Sequence, residues 1–331
     1  MRRRDFSVLL VSTLVSRVAF AQSSGKVYRI GWILPTTQAA DLSGFKWAGP
    51  TQTALIAELR KSGYVPEVNL KLDVVTAEGR PEKYGELAAA IVRRKPDVII
   101  VSGSEMTVAA KKATSTIPIV MVSSADPVKY GLVSSLARSG GNVTGLSADA
   151  GAELEGKRLE YLKQVLPHIK RVSCLVTKWI WDGPYGRALE RSGKVLGIDV
   201  QFAELTPSDL QASFDRVTSQ RPDALFVVLA PEVFVLRHKI IEFGNSTRLP
   251  VASPFAEMTE AGGLMSYGYS LPELGRAAAR YVDKIFKGAN PAELPVQRPS
   301  VFELAINLKV AKTFGIKIPH SILARADRVI E

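Results

Sequence analysis

Short apolar runs alternate with helix-length stretches along most of the chain. KVYRIGWIL (26–34) is followed by a helical pattern near 50–62 that ends at Gly63. A strand near 70–76, a helix at 81–94, the run DVIIVSG (97–103), a helix at 105–114 and IPIVMVS (117–123) come next. Strands alternating with helices of about 10–15 residues predict parallel sheets with crossover helices. The second half repeats the order. RVSCLV (171–176) resembles the first strand, and QFAEL (201–205) follows a helix ending at Gly197. A helix from about 208 to 219 leads to RPDALFVVL (221–229), then a helix at 232–244, then LPVASPF (249–255).

One correspondence between the halves is close. Lys95-Pro96-Asp97 precedes VIIV, and Arg221-Pro222-Asp223 precedes ALFVV. Each strand then leads through a small or polar loop and a helix to a hydrophobic-Pro pair, Ile117-Pro118 or Leu249-Pro250. The pattern predicts an α/β protein with two doubly wound lobes of one plan. Architecture of this kind does not name a function.

It does say where a ligand sits. In open parallel sheets ligands lie beyond the carboxyl ends of the strands, where N–H groups at helix starts face the crevice. The candidate loops are PTTQ (35–38), SGSEMT (102–107), SSADP (123–127), TKWIWDGPY (177–185), APEV (230–233) and SPFAE (253–257). Ser102 and Ser104 flank Gly103 at a helix start, where hydroxyl and N–H groups can bind an anion such as a carboxylate. Ser104 as an ordinary N-cap is the alternative. Glu105 already favours the same helix end and would repel a ligand carboxylate. Ser124 and Asp126 close the run IPIVMVSS. Asp126 either pairs with a ligand amine or makes the turn chemistry usual for Asp before Pro. Trp179 and Trp181 are a lid packed on their lobe or a stacking surface for a ring. Glu232 is a candidate contact or a helix N-terminal acid, and Phe255 a candidate apolar face.

Catalytic and metal signatures are missing. His168, His238 and His320 are far apart, and no H-E-x-x-H, G-x-S-x-G, P-loop or G-x-G-x-x-G occurs. Gly140-Gly141 and Gly262-Gly263 read as turns. Neither a catalytic residue nor a metal or other cofactor is expected.

Composition adds a compartment. The chain has 331 residues, 46% hydrophobic and 23% charged, with formal charge +11. A globular chain of about 300 residues commonly splits into two domains. The first 21 residues contribute +3 of that charge, through Arg2, Arg3, Arg4 and Arg17 against Asp5. The remaining excess is spread out, the nearest approach to a basic run being Arg93, Arg94 and Lys95. No patch or module for nucleic acid is present. MRRRDF, the ten-residue core SVLLVSTLVS and Ala19-Phe20-Ala21 before Gln22 form an export signal with an A-x-A cleavage site. Its core is too short to span a bilayer, which takes about 20 residues. Arg3-Arg4-Asp5-Phe6 also fits the twin-arginine form of leader. No Cys follows the core, which argues against a lipid anchor. The single Cys174 cannot form an internal disulfide and is expected in the core. The mature chain is expected to be soluble and periplasmic.

Four stretches carry a family resemblance: AEGRPEKYGELAAAIVRRKPDVIIVSG, KKATSTIPIVMVSSADPVKYGLVSSLARSGGNVTGLS, EAGGLMSYGYSLPELGRAAARYVDKIFKGANPAELPV and FELAINLKVAKTFGIKIPHSILARADRVIE. In order and content they resemble ABC-transporter substrate-binding proteins of the tryptophan/tyrosine-uptake type, from about residue 28 to the C-terminus. The resemblance implies a type I periplasmic binding protein fold, with two Rossmann-like lobes joined by three crossings that close on ligand. NVTGLS (142–147), GGLMSYG (262–268) and FELAINL (302–308) would be the crossings. The first lobe would hold 27–143 and 267–301. The second would hold 144–266, with a C-terminal helix of 309–331 returning to it. The family's Gly-Thr-Pro after the fourth strand matches Gly103-Ser104-Glu105, with an acid in place of the proline. Its Asp-Pro matches Asp126-Pro127 unchanged. The loops at 35–50 and 178–185 depart from the family pattern.

The reading is a periplasmic solute-binding protein of an ABC importer that captures a small carboxylate-bearing solute, with aromatic amino acids and aromatic acids as candidates. It implies a membrane permease and a separate ATPase as partners and a monomeric binding protein. A periplasmic sensor for a membrane receptor is the alternative, and an exported enzyme is a more distant one. A repressor-type effector domain shares the fold, but here an export signal stands where a DNA-binding helix pair would be.

Overall fold

A computed structural model describes residues 25–331 apart from 36, 38, 46–47 and 149–150. The expected leader and cleavage site lie outside the described residues. In the first half, strands β1 (Tyr28–Leu34), β2 (Leu70–Thr76), β3 (Val98–Val101), β4 (Ile119–Ser124) and β5 (Val143–Ser147) alternate with helices α1 (Pro50–Lys61), α2 (Tyr84–Arg93) and α3 (Ser104–Ala113). Then α4 (Glu153–Val165) leads to β6 (Arg171–Val176), α5 (Lys178–Trp181), α6 (Pro184–Leu196), β7 (Asp199–Glu204), α7 (Leu210–Gln220) and β8 (Ala224–Val227). The chain continues through α8 (Pro231–Ser246), β9 (Val251–Ser253), α9 (Ala256–Glu260), β10 (Met265–Tyr269), α10 (Leu271–Phe286) and β11 (Val296–Gln297). It ends with β12 (Phe302–Asn307), α11 (Leu308–Thr313), α12 (His320–Leu323) and β13 (Arg328–Ile330).

These strands make two sheets, ordered β11-β5-β4-β3-β1-β2 and β13-β12-β10-β9-β8-β6-β7. Every pairing is parallel except β10 with β12. The central strands are short continuous apolar runs because helices cover both of their faces. Side chains alternate between those faces. Ile30, Trp32, Val98, Ile100, Val120 and Val122 join Leu55 and Leu59 of α1 and Leu274 of α10. Ile33, Ile99, Val101, Ile119 and Met121 join Ile91 of α2 and Met106 of α3 on the other side. Cys174 is fully buried, and burial holds its thiol well above the usual range.

The repeated motif has one structural job in each lobe. Lys95 and Arg221 both take positive φ, at 51° and 48°, to turn the chain into the following strand. Asp97 then accepts from the Arg29 N–H at 2.8 Å, and Asp223 from the N–H groups of Lys170 and Arg171 at 2.7 and 2.9 Å. Each carboxylate thus ties the start of its central strand to the start of that lobe's first strand. The paired prolines match too, Pro118 accepting from Ile99 N–H at 2.8 Å and Pro250 from Leu225 N–H at 2.9 Å.

Three expectations about the chain path change. The segments 142–147, 262–268 and 302–308 supply ladder strands, and the chain passes between the sheets after Ser147, after Tyr269 and between Gln297 and Phe302. The boundaries expected at 143/144 and 266/267 therefore fall inside β5 and β10. All five residues of β5 are buried, which keeps them in the first sheet. The tail is not one helix. Gly315, at φ 68°, and Pro319 interrupt it, and Arg328–Ile330 pairs with β12. Helix α10 packs on α1, β4 and β5, so the chain returns to the first lobe before its last crossing. Among the described residues no helix is long and apolar enough to cross a membrane.

Candidate ligand-binding site

The carboxyl ends of β3 and β4 carry most of the expected residues. Gly103, at φ 88°, makes the turn from β3 into α3, a conformation glycine adopts without steric cost. Its N–H donates to Ser123 O at 2.6 Å, and its carbonyl accepts from the Thr107 hydroxyl at 2.6 Å. The helix start is thereby pinned to the end of β4.

Ser104 is the first helical residue rather than an N-cap. Gly103 holds the cap position, and no side chain caps the helix. The Ser104 hydroxyl donates to Ala125 O at 2.9 Å, which leaves its oxygen to accept from the buried Ser124 hydroxyl, also 2.9 Å away. Both serines are thus committed to joining the two loops. The first N–H groups of α3, orphaned in any helix, keep their capacity for an anion, and half-buried Ser102 precedes them in the chain.

Asp126 makes the turn. It is exposed, takes φ 39°, and accepts from the Lys129 N–H at 3.1 Å through Oδ1. Asp tolerates this left-handed conformation better than most residues. Its second oxygen points to no protein donor among the described residues.

The second lobe contributes differently. Glu232 lies in the first turn of α8, half-buried, with Oε2 lacking a partner among the described residues. Burial, together with the charges of Glu105 and Glu232, raises the Tyr84 phenol. Tyr84 lies in α2, a position the sequence pattern had absorbed into a helix. The loop 177–185 contains a helical turn, α5. Its Trp179 is 62% exposed, whereas Trp181 stacks on Phe202 of β7 at 5.2 Å. Trp181 therefore packs on its own lobe. Phe255 is buried, edge-on to Phe234 at 5.3 Å and to Tyr269 at 6.0 Å. It is a wall of the core and offers little free surface.

A second feature escaped the pattern entirely. Glu155 and Arg158, three residues apart on α4, have fully buried side chains and pair at 2.7 Å. Arg158 also donates through Nε to Tyr267 O at 2.6 Å and reaches Val227 O at 3.4 Å, beneath the ends of β10 and β8. Burial raises the Glu155 carboxyl, against the pull of Arg158 and the Leu229 N–H. A charged i, i+3 pair looks like a solvated helix face; only the apolar neighbours Leu154, Leu159 and Leu162 hint otherwise. No group of three or more His, Cys, Asp or Glu able to hold a metal exists among the described residues.

Two α/β lobes, three crossings between them, and strand ends that lead into helix starts define a solute binder of the type I periplasmic binding protein fold. The chain belongs to the ABC transporter substrate binding protein family, whose model matches residues 51–330. It is 25% identical over 268 residues to a tyrosine-binding protein of Clostridioides difficile, covering 79% of this chain and 75% of the relative. Among solved structures it is similar to a conserved domain protein from Vibrio cholerae, with TM-score 0.77 and 28% identity over 92% of this chain and all of the other. A Streptococcus pneumoniae ABC domain in complex with L-Trp shares the fold at TM-score 0.77, with 23% identity over 92% of this chain and 99% of that one. The family is one of solute-binding proteins, not enzymes, and it implies a membrane permease as partner.

Proposed function

We propose that the protein is the periplasmic receptor of an ABC importer and captures a small carboxylate-bearing solute, an aromatic amino acid or aromatic acid, between its lobes. The observation that carries this reading is the uncapped start of α3, which half-buried Ser102 precedes in the chain. Oriented N–H groups at a helix start favour an anion. In this reading they hold the carboxylate, Ser104 and Ser124 fix their position, and the free oxygen of Asp126 receives an amine. The exposed ring of Trp179 supplies a stacking face. The tyrosine-binding relative and the L-Trp complex support an aromatic amino acid as cargo. The leader at 1–21, with its possible twin-arginine motif, supports delivery to the periplasm.

The test is a thermal-shift screen followed by calorimetry. It uses aromatic amino acids, aromatic acids without an amine, branched-chain acids, sugars and nucleosides. A ligand at 100 times its Kd should stabilise the protein by about 2.7 kcal/mol. Aromatic amino acids should bind, and Asp126→Ala should weaken them while sparing aromatic acids that lack an amine. Binding of sugars or nucleosides alone would sink this site chemistry.

A further inference from the structure

Helices α2 and α3 of the first lobe leave a groove of about 510 Å³ between them. Along its middle the lining is small or apolar, with Gly85 and Ala89 from α2 and Val108 and Ala109 from α3, while Pro81 and Tyr84 line it at the start of α2. Glu105 stands at one end of the α3 wall and Lys112 at the other. Seven residues is close to two helical turns, so the two charges share one stripe about 10 Å apart. Both side chains are exposed, and neither has an ion-pair partner among the described residues. The neighbouring Lys111 is committed instead, donating to Gly131 O at 2.6 Å and Leu132 O at 3.1 Å.

The order of these residues is its own complement. A two-fold axis between Val108 and Ala109 would set α3 antiparallel to a second α3. That operation places Glu105 opposite Lys112 of the second copy, and Lys112 opposite its Glu105. The small residues fall at the centre, where they allow two helix axes to come within about 8–10 Å. An isologous interface requires this kind of self-matching patch. We infer that the groove is the interface of a homodimer built on α3 and its copy, in place of the monomer expected from the sequence. The apolar centre supplies most of the attraction, and the two reciprocal ion pairs set the register and exclude other orientations. The pairing also draws the Glu105 charge away from the adjacent start of α3. Self-association itself does not depend on which solute the crevice takes.

Sedimentation velocity from low to high micromolar protein tests this with four chains: wild type, Glu105→Lys, Lys112→Glu and the double charge swap. The wild type should show a concentration-dependent dimer that weakens with salt. Each single reversal sets like charges face to face and should weaken association about tenfold or more. The double swap should restore it, because both ion pairs re-form with reversed sign. Circular dichroism and melting temperature should be unchanged in all four, since both sites are exposed. A wild type that stays monomeric throughout overturns the inference. So does a dimer indifferent to the single reversals, or a double swap as weak as the single reversals.

Discussion

In the first lobe, β3 and β4 end in hydroxyls, an uncapped helix start and the exposed carboxylate of Asp126. In the second lobe, β8 and β10 end against a fully buried ion pair, with the rings of Phe234, Phe255 and Tyr269 close by. At the first set of strand ends the Ser104 and Ser124 hydroxyls are tied up while the helix-start N–H groups stay open; at the second the space is filled by the ion pair and the rings, with Glu155 Oε1, Arg158 Nη2 and Glu232 Oε2 lacking partners among the described residues. Free N–H groups and a carboxylate are what a polar solute needs, whereas a buried, ring-packed end resists deformation. The contrast assigns gripping to the first lobe and framing to the second. It also explains why Ser104 looks like a ligand contact but acts as a brace. Its hydroxyl is already used, and the backbone beside it is not.

The hardest way to break the framing is at Arg158. Arg158→Met should cost about 3–5 kcal/mol in urea unfolding, because Glu155 is left buried without its cationic partner. Glu155→Leu combined with Arg158→Met should recover part of that loss. Full recovery is not expected, since Tyr267 O and Val227 O lose their donor. A single substitution that costs less than about 1 kcal/mol would mean that the pair does not hold the second lobe's strand ends together.

The two tryptophans sharpen the comparison within one short segment. Trp181→Ala removes the stack on Phe202 and should cost about 2–3 kcal/mol. Trp179→Ala removes an exposed ring and should change stability by no more than about 0.5 kcal/mol. Calorimetry with L-tryptophan as probe should reverse the ranking, with Trp179→Ala losing more affinity. If Trp181→Ala is the substitution that abolishes binding while leaving stability intact, the roles are exchanged.

How far the chain could be read without its structure follows the same division. The continuous apolar runs VIIV and ALFV, and the matching Pro-Asp turns before them, mark the centres of both sheets. Burial on two faces leaves little choice of residue there. The tail was misread because RVI is only three residues long and pairs with a strand over twenty positions earlier. Nothing local marks such a partner. Loop residues were legible as to place but not as to orientation. Asp126, Trp179 and Phe255 all lie beyond strand ends, yet one makes a turn, one faces solvent and one is core. Backbone φ and ring contacts decide among these outcomes, and neither is visible in residue type. Glu155 and Arg158 were hidden because an i, i+3 charge pair has one spelling, whether solvated or buried.

The smallest expected effect tests whether the second lobe tolerates charge near its strand ends at all. Glu257, in the first turn of α9 just after Phe255, is half-buried. Burial raises its carboxyl above the ordinary value, with Glu260 and Glu303 adding to the effect and Arg328 opposing it. A carboxyl whose folded pKa is raised binds its proton more tightly when folded. Its contribution to stability is therefore fully present below the ordinary carboxyl value and is lost as pH rises through the raised one. At neutral pH the native chain bears the cost of a partly desolvated carboxylate. Glu257→Gln should then raise stability at neutral pH by less than about 1 kcal/mol, and the gain should vanish near about pH 4. Urea unfolding of both chains at the two pH values reads the difference directly. A gain that persists in acid would trace to packing or hydrogen bonding of the new amide. A loss at neutral pH would mean that Arg328 stabilises the Glu257 carboxylate more than burial disfavours it.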